Sequence, residues 1–99
     1  MKFAIKTLRD IAYNIGYEEG LVRDAYLKQD LFRQKKCQEL VSIYIKKWDK
    51  LKKDYIESLG LDATCPVTKQ LIKTLYTDRE KHYQLGIKDA SANLVPGNF

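Results

Sequence analysis

Two thiols and one imidazole, Cys37, Cys65 and His82, are the side chains of this chain best suited to nucleophilic or metal chemistry. Cys65 stands just ahead of Pro66, where a helical pattern begins, and a helix N-terminus lowers a thiol pKa. A nucleophilic cysteine also needs a positioned base and a group to orient that base, and no neighbour in the sequence supplies either. His82 has Glu80 close by, but residues two apart on a helix face different ways. The imidazole is therefore expected in solvent or at the edge of a core. Two cysteines and one histidine fall short of the four ligands of a structural zinc site, and two cysteines are too few for a disulfide framework. The carboxylates are scattered among lysines, and no glycine-rich phosphate loop occurs. The expectation is a chain that is not an enzyme, with no catalytic residue, no metal and no cofactor, its thiols reduced in an intracellular protein.

Charge offers a different chemistry. The chain carries 18 Lys and Arg against 13 Asp and Glu, a net charge of +5. Residues 31–59 hold eight cations and four carboxylates, so +4 of that surplus sits in one segment. Lys46, Lys50 and Lys53 share an outer helical face there, which could neutralise phosphates with a strong salt dependence. Asp49, Asp54 and Glu57 are interleaved with them, which suits a solvated face equally well.

The elements that would position these groups are helices. Cys37, Val41, Tyr44, Trp48, Leu51 and Tyr55 follow one another at spacings of 4-3-4-3-4, keeping one apolar stripe on one face for five turns, widened by Leu40 and Leu59. Trp48 lies on that stripe and reads as core rather than as a platform for stacked bases. Ile43, Ile45 and Ile56 lie off it and must pack elsewhere or face a partner. This long helix starts between Asp30 and Gln34 and ends at Gly60. Before it, Ala4, Leu8, Ile11 and Ile15 mark a first helix, which Gly16 is expected to end in the left-handed conformation. A short helix over 18–28 follows. After Pro66, Val67, Leu71, Leu75 and His82, broadened by Ile72, Tyr76 and Tyr83, mark the face of a last helix that ends at Gly86. The predicted fold is all-α, a single-domain bundle of about four helices over 1–86 with one long central amphipathic helix, and a flexible tail over 87–99. No uncharged run approaches the ~20 apolar residues that cross a bilayer, and Lys6 and Arg9 interrupt any signal-peptide core. A soluble protein of the cytoplasm or nucleus is expected.

Two family resemblances fall on the same stretch. Residues 7–27 resemble the helix-turn-helix of transcription regulators, with Ala12, Gly16 and Val22 at the motif's offsets and Ile11, Ile15 and Tyr17 as apolar supports. Residues 7–45 resemble ubiquitin-associated (UBA) domains of the inhibitor-of-apoptosis type. The residues that carry this are the Ile15-Gly16-Tyr17 turn, the Leu21-Val22 pair and the Leu40-Val41 pair. The second resemblance implies a small apolar patch, formed by the turn and the third helix, that docks on ubiquitin.

The functional expectation is a non-enzymatic protein–protein interaction module, a small helical adaptor. Its expected surface is Ile15, Gly16 and Tyr17 with Ile43 and Ile45, bordered by Lys46, Lys47 and Lys50. Ubiquitin and a second copy of the chain stand as candidate partners. The alternative is a nucleic-acid-binding regulator using the helix-turn-helix or the basic helix face, and a membrane-surface role ranks third.

Overall fold

The computed structural model describes residues 2–62 and 64–94, and within them the chain is all α-helical. Three helices follow one another: α1 over Lys2–Leu27, α2 over Leu31–Ser58 and α3 over Pro66–Leu94. They form a rod of 52 × 23 × 20 Å.

The bundle has three helices rather than four because neither Gly16 nor Gly86 ends a helix. Both lie where α1 and α3 cross, backbone against backbone. A Cβ on Gly16 would overlap the carbonyl of Tyr83, and one on Gly86 would overlap the carbonyl of Tyr13 and lie 2.6 Å from the Tyr17 nitrogen. One turn on, a Cβ on Gly20 would come within 2.6 Å of the Ala90 side chain. A mid-helix glycine costs about 1 kcal/mol relative to alanine, and here that cost is offset by an approach no larger residue permits. The segment 18–28 is thus the continuation of α1. Likewise 87–94, expected as part of a tail, is the end of α3, with Ala90 fully buried; residues 95–99 lie outside the described residues.

The actual end of α1 is built without glycine. Gln29 takes φ 56°, the Asp30 N–H donates to the Ala25 carbonyl at 2.8 Å and the Gln29 N–H to that of Tyr26 at 3.1 Å. This is a Schellman closure. Asp30 then turns its side chain to accept from the Arg33 N–H at 3.1 Å, capping α2. So short a link makes α1 and α2 antiparallel. At the other end of α2, Gly60 has φ 65°, where the sequence placed the stop. Asp62 accepts from the N–H and hydroxyl of Thr64 at 2.9 and 3.0 Å, organising the loop into α3 and holding its own carboxyl below the usual range.

The central helix is α1, not the basic helix α2. Both α2 and α3 pack along α1, and the core joins Leu8, Ala12 and Ile15 to Val41 and Trp48 of α2 and Leu75 of α3. The predicted stripe of α2 is the face that does this: Cys37, Val41 and Trp48 are buried, with Tyr44, Leu51 and Tyr55 half-buried beside them. Helix α3 runs parallel to α1, as the pairs Arg9–Asp78 (2.7 Å) and Gly20–Ala90 show.

Candidate functional site

Because α2 and α3 each lean on α1, they stand apart from one another, and long side chains bridge the gap. Trp48 of α2 is 1 % exposed, its ring 5.2 Å from that of Tyr76 on α3. The Arg79 guanidinium lies 4.5 Å from the Trp48 ring centroid, and the Lys52 ammonium lies 4.8 Å from that of Tyr76 while donating to its hydroxyl at 2.7 Å. Cations over aromatic faces are worth about 0.5–2 kcal/mol each, more where water is excluded.

Past this bridge, toward the N-terminus of α2, the gap opens into a cleft of about 480 Å³. Its floor is Ile15 of α1 with Val41 and Ile45 of α2. Its walls carry Tyr76, Arg79, Glu80 and Tyr83 of α3, and Glu19 of α1. An apolar floor with a few convergent polar groups is the usual composition of a binding site. Burial first and the nearby Glu19 charge next push the Tyr83 phenol above its ordinary range.

The groups suited to covalent or metal chemistry are placed elsewhere. Cys37 is buried, and burial together with Glu18 pushes its thiol up, away from the reactive thiolate. Cys65 is a free, half-buried thiol. His82 is half-buried, with Nδ1 2.9 Å from the Asp78 carbonyl and 3.7 Å from its carboxylate, which also holds Arg9. That is the edge-of-core position expected of it. Among the described residues no group of three or more His, Cys, Asp or Glu could hold a metal ion. None of the helices among them is long and apolar enough to cross a membrane.

The predicted surface divides into three places. Ile15 and Ile45 meet in the cleft. Gly16 is buried against α3, and Tyr17 is half-buried with its ring 6.2 Å from that of Tyr13. Ile43, 48 % exposed, points to the outer side of α2, where Lys46, Lys47 and Lys50 are also exposed; Lys47 lies 5.9 Å from the Tyr44 ring and Lys50 pairs with Asp54 at 3.5 Å. The turn that both family resemblances need at Ile15-Gly16-Tyr17 is absent, since all three residues are helical. Of the α3 wall, Tyr76 and Tyr83 were expected to broaden the apolar face of the last helix; sequence reasoning missed Arg79 and Glu80, which recur with them at helical spacing beside the Leu71/Leu75 stripe. Comparison with protein-family models, with curated proteins and with solved structures finds no match to this chain.

Proposed function

We propose that the chain is a non-enzymatic protein-binding module that receives a partner's segment in the cleft between α2 and α3. One observation carries this reading: a cleft of about 480 Å³ with an apolar floor and walls of both charges. Arg79 faces an acidic group of the partner, Glu19 and Glu80 face basic ones, and an apolar anchor fills the space over Ile15, Val41 and Ile45. Tyrosine and arginine are the residue types that most often dominate binding energy at such sites. The proposal does not use the ubiquitin-associated turn, because Ile15, Gly16 and Tyr17 lie within α1. Two free thiols suit a reducing compartment, so a cytoplasmic or nuclear location belongs to the same proposal.

A second reading rests on the outer face of α2, where Lys46, Lys47, Lys50 and Lys53 are all exposed. That face would track a nucleic-acid backbone through phosphate contacts. Capture from native lysate, with and without nuclease, separates the two readings. The partner should survive nuclease, persist when Lys46, Lys50 and Lys53 are changed to Gln, and be lost on Ile45→Glu in protein that still melts cooperatively. Nuclease-sensitive capture, abolished by the triple lysine variant alone, would favour nucleic acid instead.

A further inference from the structure

The end of the rod where α1 turns into α2 exposes four large apolar side chains: Tyr26 at 66 %, Leu27 at 78 %, Leu31 at 74 % and Phe32 at 78 %. Tyr26, Leu27 and Leu31 line one shallow hollow, and Phe32 lines another with Lys35, Lys36 and Glu39. Single exposed apolar residues are ordinary, but four at one end of the rod mark a surface that meets something.

Charge indicates what it meets. Residues 23–36 carry five cations, Arg23, Lys28, Arg33, Lys35 and Lys36, against two carboxylates, Asp24 and Asp30, a surplus of +3. Both carboxylates are already engaged, Asp24 by Lys28 at 3.1 Å and Arg33 at 3.2 Å, Asp30 as the cap of α2. Side chains on a helix lean toward its N-terminus, so the lysines of the first turns of α2 lean toward the tip. The Lys36 ammonium accordingly lies 5.7 Å from the Phe32 ring centroid. Glu39 follows one turn further from the tip.

We infer that this corner docks on an anionic lipid surface, with Leu27, Leu31 and Phe32 entering the interface and Lys35 and Lys36 meeting phosphate headgroups. An aromatic and aliphatic tip ringed by lysines has the composition of an interfacial anchor, which sinks ~5–10 Å into the headgroup boundary. That depth covers the tip and leaves Lys35 and Lys36 at headgroup level. A second copy of the chain would place one +3 surface against another. The corner is the convex end of a helical hairpin, which suits a deformable surface better than the groove of a folded partner. The cleft lies roughly 15 Å further along α2, at 1.5 Å per residue, so both surfaces can be occupied together.

Sedimentation of the full chain with lipid vesicles tests this. At low salt it should partition onto vesicles of one part phosphatidylserine to two parts phosphatidylcholine, and not onto phosphatidylcholine alone. Leu27→Ser with Phe32→Ser should weaken partitioning by about tenfold or more with an unchanged melting curve. Lys35→Gln with Lys36→Gln should weaken it by about thirtyfold. Equal binding to both vesicle types, binding untouched by either set of changes, or no binding at all would each overturn the inference. Self-association that Leu27→Ser and Phe32→Ser abolish, without vesicle binding, would overturn it in favour of a second copy.

Discussion

Along its seam with α3, helix α1 offers Gly16 and Gly20, and α3 answers with Gly86 and Ala90; between α2 and α3 stand Trp48, Lys52, Tyr76 and Arg79. The first contact is made by removing side chains, the second by extending them. Small residues bring two backbones together and leave no room for a ligand. Large amphipathic ones hold two helices apart and leave a walled space beside them. The same short chain therefore has one sealed flank and one open flank, and the proposed binding cleft lies on the open one.

The largest expected effect comes from removing the bridge. Trp48→Ala should destabilise the fold by about 3–5 kcal/mol in denaturant melts, the range for a buried aromatic. It should also merge the cleft with the void left by the indole, so partner capture should fall even where folding is restored by low temperature. Retained stability would mean that the open flank is not held by Trp48.

Next comes the sealed flank. Gly16→Ala gains about 1 kcal/mol of helix propensity, yet its Cβ would overlap the Tyr83 carbonyl. The net should be a loss of about 1–3 kcal/mol, as in overpacked cores. A stabilised variant would show that the helices do not touch there.

Arg79→Ala is smaller, about 1 kcal/mol, for the cation over the Trp48 ring. Its effect on partner capture should exceed its effect on melting. A change in melting alone would assign Arg79 to packing.

Alkaline pH sharpens the contrast with the least energy. Cys37 is raised above its ordinary 9.0 by burial first and Glu18 next, and Tyr13 above 10.0 by its 2.6 Å hydrogen bond to Asp89 first. Both groups are neutral when protonated, and the folded state keeps the proton longer. Their stabilisation is complete below the unfolded pKa values and is lost as pH rises through the higher folded ones. The melting temperature should therefore decline above about pH 9. Tyr13→Phe and Cys37→Ala should each flatten that decline.

Much of this was legible in the residues. The 4-3 stripe located the core face of α2 and buried Trp48, Asp30 lay within the range expected for the start of α2, and Gly60 ends it in the left-handed conformation. Gly16 and Gly86 were misread for a physical reason. A glycine suits a helix stop and a close helix crossing equally, and only the backbone opposite decides. Without that knowledge the continuous α1 became two helices, and α2, rich in charge, was taken for the centre. The cleft wall was legible only in part. Tyr76 and Tyr83 broaden the apolar face of the last helix in the sequence, but Arg79 and Glu80 between them give no sign of a site until the gap beside them is seen. Ile15 and Ile45 were chosen for a shared surface and do share the cleft, while Gly16 is buried against α3 and the Tyr17 ring lies beside that of Tyr13.

The contrast between the two flanks is most directly tested by nuclear Overhauser contacts in isotopically labelled protein. Strong contacts between the Gly16 α-protons and the backbone protons of Tyr83 and Gly86 should accompany uninterrupted helical contacts through Ile15, Gly16 and Tyr17. Between α2 and α3 the principal contacts should come from side chains, Trp48 to Tyr76 foremost. A break in the helix at Gly16, with no contact to Tyr83 or Gly86, would contradict the sealed flank and with it the cleft that the open flank leaves.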